Sequence, residues 1–296
     1  MKSLIYIVIP MILISSCKEV DDENLKLEQN HSQNDKSIES NEKVDISSLI
    51  PIIQGIWLPK EYVENLYKTK SAYLASSLIP EIAELQINPD KIINDTLYVP
   101  SSIGNHEGYG FNIWFTSQNG KIIIQSDIYE LKSDEKTAEF VVLTKPDTII
   151  KLVIKNQKEE TLKIIEYIKI RNKEYVTSFG GLGYDYMARR VLLNGSYEIL
   201  DSSKSNMGII NFDAENETIT NFKHKFYTIQ TDFGGGPSYE DDHVIFQVKK
   251  DDYHNSETYV IKNELDTIVL YTIEEIISDS GYSIELKDKV YYIIKK

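Results

Sequence analysis

The sequence predicts a mainly β fold, an antiparallel barrel or sandwich built as two diverged units, with one helix near the start of the first. Three observations carry this. Short runs rich in Ile, Val and Tyr recur along the chain, Tyr alone numbering 20 of 296 residues; β-branched and aromatic side chains suit a pleated, half-buried surface. Turn signals separate the runs at regular intervals. The second half of the chain also repeats short patterns of the first.

The elements are expected from Leu49 onward. Leu49-Ile50-Pro51-Ile52-Ile53 leads into Gly55-Ile56-Trp57. A helix is predicted over Lys60–Leu78, with Val63, Leu66, Tyr67, Leu74 and Leu78 near helical spacing, Pro59 before it and Pro80 after it. Everything beyond Pro80 reads as strands: Glu81–Ile87, Thr96–Val99, Phe111–Thr116, Lys121–Ser126, Ala138–Leu143, Thr148–Ile154, Thr161–Ile170 and Glu174–Thr177. Asn88-Pro89-Asp90 and Gln118-Asn119-Gly120 mark turns. Thr148–Ile154 is nearly continuous in apolar residues and predicts a strand buried on both faces. Phe179–Tyr184 (FGGLGY) reads as a flexible break. The second series is Ser196–Leu200, Gly208–Phe212, Lys225–Thr231, His243–Lys249, Thr258–Lys262, Thr267–Ile273, Tyr282–Glu285 and Val290–Lys295.

The repeat rests on three parallels. Gly55-Ile56-Trp57 matches Gly195-Ser196-Tyr197. Leu85–Asp90 matches Ile209–Asp213, and Pro146-Asp147-Thr148-Ile149 matches Leu265-Asp266-Thr267-Ile268. The expected organisation is a first β domain over 49–180, a linker over 181–194 and a second β domain over 195–296, with one continuous antiparallel sheet as the alternative. Gly-x-Trp ahead of a strand meander resembles the start of a lipocalin-type barrel. That resemblance implies that Trp57 plugs one barrel end and that Arg171, at the end of the first unit's last long strand, packs over it. The second unit departs from the pattern, with Tyr197 in place of Trp and Lys295 or Lys296 in place of Arg. The segment Trp57–Leu78 with Asn105-His106-Glu107-Gly108 also resembles uncharacterised exported proteins of lipoprotein-rich bacteria, which implies no activity.

The N-terminus carries a separate signal. Lys2 precedes an apolar run, Leu4–Ile14, too short to span a bilayer. Ser15, Ser16 and Cys17 follow, and Cys17 is the only cysteine, so no intrachain disulfide forms. Ile14-Ser15-Ser16-Cys17 resembles the lipobox of bacterial lipoproteins. The resemblance implies a signal peptide over 1–16, cleavage before Cys17 and acylation of that cysteine. Two or more acyl chains hold a protein stably on a membrane, at roughly 0.8 kcal/mol per buried CH2. Residues 17–48 read as an acylated cysteine and a disordered tether, since Lys18–Ser48 carries nine acidic residues and four lysines without Gly, Pro or aromatics. A Lys followed by the acidic run Glu19–Glu23, with no Asp at the second mature position, resembles a signal for the outer face of a Gram-negative outer membrane; a plain solvated tether is the other reading.

The net charge of −14 with three arginines, Arg171, Arg189 and Arg190, excludes a nucleic-acid surface. No cofactor is expected: HExxH, GxSxG and P-loop patterns are absent, and one cysteine cannot build a structural zinc site. His106 and Glu107, in a Gly-rich loop, are the candidate polar pair at a barrel mouth, with Tyr109 and Trp114 as ligand-binding candidates. Tyr109, Phe111, Ile113 and Phe115 share one face of a strand, and Asn112, Trp114 and Thr116 the other. Asp241-Asp242-His243, after Gly234-Gly235-Gly236-Pro237, is a candidate cation loop or a solvated one. His224 and His254 read as surface residues. Thr96, Thr148 and Thr267 follow Asp in a pattern that resembles an O-glycosylation acceptor, or merely open strands after turns. The leading expectation is a lipid-anchored, non-enzymatic protein binding a small or hydrophobic ligand. The alternatives are a cell-surface interaction protein with no ligand cavity, and a hydrolase using His106 and Glu107.

Overall fold

The computed structural model describes residues 45–118, 121–128, 135–144, 146–176, 182–234, 240–278 and 281–296. Cys17, the apolar N-terminal run and most of the acidic segment lie outside them, as do Phe179–Gly181 of the expected break and Gly235–Pro237. The fold is mainly β. The first unit is a curled antiparallel sheet of nine strands: β1 (Gly55–Pro59), β2 (Leu85–Ile87), β3 (Ile92–Ile93), β4 (Thr96–Ile103), β5 (Glu107–Gln118), β6 (Lys121–Ser126), β7 (Thr137–Leu143), β8 (Ile149–Lys155) and β9 (Thr161–Arg171), in the order β2-β1-β9-β8-β7-β6-β5-β4-β3. The second unit is a closed eight-stranded barrel, β10 (Gly195–Leu200), β11 (Asn206–Asp213), β12 (Thr218–Thr220), β13 (Phe226–Ile229), β14 (Asp242–Gln247), β15 (Ser256–Glu264), β16 (Thr267–Ser278) and β17 (Gly281–Lys295). Among the described residues four α-helices accompany them: α1 (Ile50–Ile53), α2 (Lys60–Thr69), α3 (Ala72–Ser76) and α4 (Leu182–Leu192).

The three sequence parallels fall on equivalent strands. β1 pairs with β2 and β9, as β10 pairs with β11 and β17. Gly55 lies opposite Ile87 and Gly195 opposite Phe212; Trp57 lies opposite Lys169 and Tyr197 opposite Lys295. Both glycines adopt positive φ, 127° and 124°. A Cβ on Gly55 would meet the Arg171 carbonyl oxygen at 2.4 Å, so only glycine fits where the chain leaves its helix and enters the first strand. Asp147-Thr148 and Asp266-Thr267 each lead into the penultimate strand of their unit.

The curled sheet is drawn together at its edges by the segment predicted as one strand over Glu81–Ile87. Its second half is β2. Its first half bonds instead to β4: Ile82 bridges Ile103, Ala83 N–H donates to the Ser102 carbonyl at 2.9 Å, and Gly104 N–H donates to the Glu81 carbonyl at 3.2 Å. The sheet interior is one apolar cluster that includes Trp57, Leu97, Phe111, Phe140, Leu152 and Tyr167. Ile46, Leu49 and Ile50 pack against it, so the folded chain begins inside what the sequence assigned to the tether.

Four expectations need correction. The single helix over Lys60–Leu78 is two, because Lys70 turns left-handed at φ 53° and Ser71 caps a new helix by accepting from Leu74 N–H at 3.0 Å. Its buried face is Tyr62, Val63, Leu66, Ala72 and Ala75, whereas Tyr67, Leu74 and Leu78 are exposed. Thr148–Ile154 is buried on one face only: Ile150, Leu152 and Ile154 point inward and their neighbours are half-exposed. Glu174–Thr177 is not a strand; Lys173–Tyr175 forms a 3-10 turn, and Thr177 lies outside the described residues. The expected linker over 181–194 is largely α4, with Tyr184, Tyr186, Met187, Ala188, Arg189 and Leu192 buried.

α4 joins the two units. The fully buried Glu84 carboxylate of the first accepts from Gly183 N–H at 2.9 Å and from the Gln86 amide at 2.5 Å. An anion there satisfies an otherwise orphaned N–H and complements the helix dipole. Tyr184 OH donates to the Ala83 carbonyl at 2.6 Å, and its ring meets Tyr62 of α2 edge-on at 4.6 Å. Further along the helix, Arg189 pairs with Asp185 and with Glu217 (3.3 Å) and donates to the Ala214 carbonyl at 3.2 Å, while Asp185 accepts from Thr228 OH at 2.9 Å. The apolar residues of α2, α3 and α4 form one core with the barrel interior. A Cβ on Gly183 would sit 2.7 Å from Glu84 Oε2 and 3.0 Å from Ile56 Cγ2. Gly183→Ala is therefore expected to destabilise the fold by about 1–3 kcal/mol, measured as a fall in the urea midpoint at unchanged slope. An unchanged midpoint would show that the close approach is not constraining.

Candidate functional site

Apolar side chains pack against one another in both interiors. In the first unit, Phe111 and Phe140 stack at 5.8 Å, and Trp57 Nε1–H donates to the Ile53 carbonyl at 2.7 Å. The void among Ile53, Leu85, Val99, Phe111, Ile113 and Phe140 is about 10 Å³, near the minimum for a single water. In the second unit, rings pack against one another: Phe212 on Tyr227 (5.0 Å), Phe222 on Phe246 (5.6 Å), Phe246 on Tyr259 (5.7 Å) and Tyr259 on Tyr291 (5.8 Å).

The expected packing of Arg171 over Trp57 is corrected. Lys169 lies over the Trp57 ring, 5.1 Å from its centroid, because Lys169 is the residue paired with Trp57 in the ladder. Burial pushes the Lys169 ammonium pKa down. Arg171 turns instead toward the junction of the two units, between Tyr175 (3.5 Å) and Tyr186 (4.3 Å), with Glu215 at 2.9 Å.

The four ligand-binding candidates do not converge on one hollow. His106 Nδ1 meets both carboxylate oxygens of Asp232 at 3.0 Å, tying the β4–β5 turn to the second unit. That carboxylate holds the His106 pKa above its ordinary value. Glu107 is exposed and opens β5 opposite Ile103. Tyr109 is half-buried with its ring 6.0 Å from Phe111 on the inner face. Trp114 is on the outer face, where Nε1–H donates to Gln125 Oε1 at 2.7 Å. The alternation read from the sequence thus holds, and it sends Tyr109 and Trp114 to opposite sides of the sheet.

Asp241-Asp242-His243 is a docking element in this fold. Asp242 is buried and accepts from Tyr73 N–H of α3 at 2.8 Å; Asp241 pairs with Lys262; His243 is buried. Among the described residues no group of three or more His, Cys, Asp or Glu is placed to hold a metal ion. His224, expected at the surface, is buried between the rings of Phe222 (5.5 Å) and Phe246 (5.6 Å). His254 is exposed. Thr96 and Thr267 each follow a two-residue hairpin turn, Asn94-Asp95 and Leu265-Asp266, with positive φ at Asn94, Asp95 and Leu265. The turn geometry accounts for Asp at those places. Thr148 is half-buried just before β8.

A larger hollow lies outside the first unit, and no sequence signal had singled it out. It measures about 400 Å³ and runs between Lys60 and Glu64 of α2, the Leu78-Ile79-Pro80 segment, and Ile164 of β9. Its origin is the short β1. Pro59 pairs with Tyr167 and the chain then turns into α2, so Thr161–Glu166 of β9 have β8 on one side and, among the described residues, no strand on the other. A second hollow of about 150 Å³ adjoins it, lined by Ile82, Lys136, Ile154 and Leu162; Lys163 and Ile165 line both. The walls mix aliphatic side chains, Leu78, Ile79 and Ile164, with the charged Lys60, Glu61, Glu64, Lys163 and Glu166, and Lys60 and Lys151 are held near Glu166 at 3.5 and 2.7 Å. The sequence clue was Pro59 followed by helix formers directly after a four-residue strand start. That combination halts a first strand well short of the long strand it must pair with.

No family model matches the chain, and neither a curated protein nor a solved structure is similar to it at a significant level.

Burial sets a pH dependence. The His243 pKa is pushed down to about 4 from 6.5 because the charged ring would be desolvated, and that of His224 is lowered for the same reason. Between those values the unfolded chain binds a proton that the folded chain does not, so stability is full above about pH 6.5 and falls toward pH 4. The raised carboxyl of Asp242 acts in the opposite sense at the acid end. At about 1.4 kcal/mol per pH unit, His243 contributes a loss on the order of 3 kcal/mol. His243→Gln is expected to flatten the fall of the urea midpoint between pH 6.5 and 4.5. An unaltered slope would assign the acid sensitivity elsewhere.

Proposed function

We propose that this chain is a lipid-anchored, non-enzymatic interaction protein whose two β units are packed scaffolds, presenting their outer surfaces at a membrane face. The observation that carries this reading is the filled interior of the first unit. Binding sites for small ligands span about 300–1,000 Å³, whereas its void is about 10 Å³. The hollow in that size range, about 400 Å³, opens on the outside against a helix and a strand edge. This favours a partner that adheres to the surface over a carried molecule. The anchor reading rests on Ile14-Ser15-Ser16-Cys17 and the apolar run before it, and the acidic stretch after it suits a spacer between lipid and scaffold. The hydrolase reading loses its motive, since His106 is engaged with Asp232 rather than paired with Glu107 beside a pocket.

Two measurements test the proposal. Cys17→Ala should move the protein from the membrane fraction to the soluble fraction. Native mass spectrometry of the protein from its natural host should give the polypeptide plus its acyl groups and nothing more. Retention of the Cys17→Ala variant on membranes would overturn the anchor, and a stoichiometric small molecule would overturn the packed-scaffold reading.

A further inference from the structure

We infer that the free edge of β9 is a docking slot for an extended polypeptide strand of a partner protein, added antiparallel to Thr161–Glu166 in line with β1. The inference rests on the interaction-protein reading and names the chemistry of its partner. The slot has two rails. One is β9, whose residues 161–166 carry no backbone hydrogen bond on the side away from β8 among the described residues. The other is the Ile79–Ala83 stretch, where the Glu81 carbonyl and Ala83 N–H bond to Gly104, just past β4, and to Ser102 of β4, away from the slot. Tyr167 OH donates to the Ile82 carbonyl at 2.6 Å and fixes the two rails at one end.

The dimensions suit a strand. At 3.3 Å rise, about 4.8 Å between strands and about 10 Å of sheet thickness, a strand residue takes roughly 160 Å³. Hollows of about 400 and 150 Å³ thus receive a few residues without displacing protein atoms. β1 runs antiparallel to β9 down to the pair Pro59↔Tyr167, so an added strand would continue the ladder at Glu166. Main-chain bonds would supply affinity and alternate side chains specificity, as in other strand-addition complexes. Natural sheets ordinarily blunt such edges; here Leu162 and Ile164 are left about half exposed on it.

The side chains specify the partner. Inward-facing positions would pack on Ile165 and Ile154, calling for β-branched aliphatic residues. Lys163 lies between the two hollows and has no anionic partner among the described residues, whereas Lys60 and Lys151 are already near Glu166. A carboxylate on the incoming strand opposite Lys163 completes a cross-strand ion pair.

The test uses linear decapeptides selected from a random display library on the purified full chain. Backbone amide exchange is then followed with and without the selected peptide. The expected result is peptides with a β-branched aliphatic residue and, two positions on, an acid, which slow exchange within Thr161–Glu166 by about tenfold or more. Lys163→Glu should weaken their binding by about tenfold, the loss of one favourable charge pair turned repulsive. Of two peptide versions N-methylated on alternate residues, only the one whose methyls face β9 should fail to bind. The inference is overturned if no peptide is selected, if protection falls elsewhere, or if both methylated versions bind equally. Equal protection of all amides from 161 to 166 in the free protein would show that the chain fills the slot itself, and protection that grows with protein concentration alone would assign it to a second copy. None of these outcomes bears on the mass-spectrometric result, which separately decides the packed-scaffold reading.

Discussion

The buried carboxylate of Glu84 against the first turn of α4 is the contact on which the union of the two β units depends. It is fully enclosed, and Gly183 N–H and the Gln86 amide both donate to it, as a carboxyl taken out of water requires. Removing one partner of such a buried charge leaves the other uncompensated, a far larger loss than the net worth of the pair. Glycine at position 183 is dictated by the same contact, since the oxygen lies where a side chain would begin. From that fixed end the helix carries Asp185 and Arg189 to the rim of the closed barrel, where they bind the turn around Ala214–Glu217 and the end of β13. One helix is thus capped by the first unit and bonded to the second.

Around this helix the remaining contacts align. Asp242 of the barrel serves α3 of the first unit as a cap, Asn105 Nδ2 donates to the Thr231 carbonyl at 2.9 Å, and Arg171 reaches Glu215 between two tyrosines. These are directional, largely buried polar contacts set in a continuous apolar core. Relative motion of the two units would break several at once, so the contacts hold the units together stiffly. For a scaffold that presents a strand edge to a partner, such rigidity lowers the ordering cost of association.

Much of the fold was legible in the sequence, for physical reasons that can be named. Strand alternation in Tyr109–Phe115 sorted the side chains onto two faces correctly, and the structure makes the Phe111, Ile113 and Phe115 face the dry one. The Gly-x-aromatic pairs at 55–57 and 195–197 marked first strands because both glycines need the same positive φ. α4 was missed because glycines, Asp185 and two arginines read as a solvated break, while the burial that stabilises the helix comes from residues more than 80 positions away, such as Glu84. The apolar run Thr148–Ile154 misled in the opposite direction: half-exposed aliphatics on an outer face look the same in sequence as doubly buried ones. The candidate site fared less well. His106 was noticed as a polar residue in a glycine-rich loop, but its partner Asp232 lies in the other unit. The slot beside β9 is made by strand lengths, which are the part of a β fold that local patterns define least.

The pairing of β10 with β17 has a further consequence, in the timing of folding. Tyr197 to Leu200 pair on one side with the neighbouring β11, but on the other only when Lys295 to Tyr292 arrive, so the barrel closes through β17. Contacts so distant along the chain form slowly. Until then the outer edges of β10 and β17 stand unpaired, and in the partly folded chain they are the surfaces most open to pairing with the wrong strand.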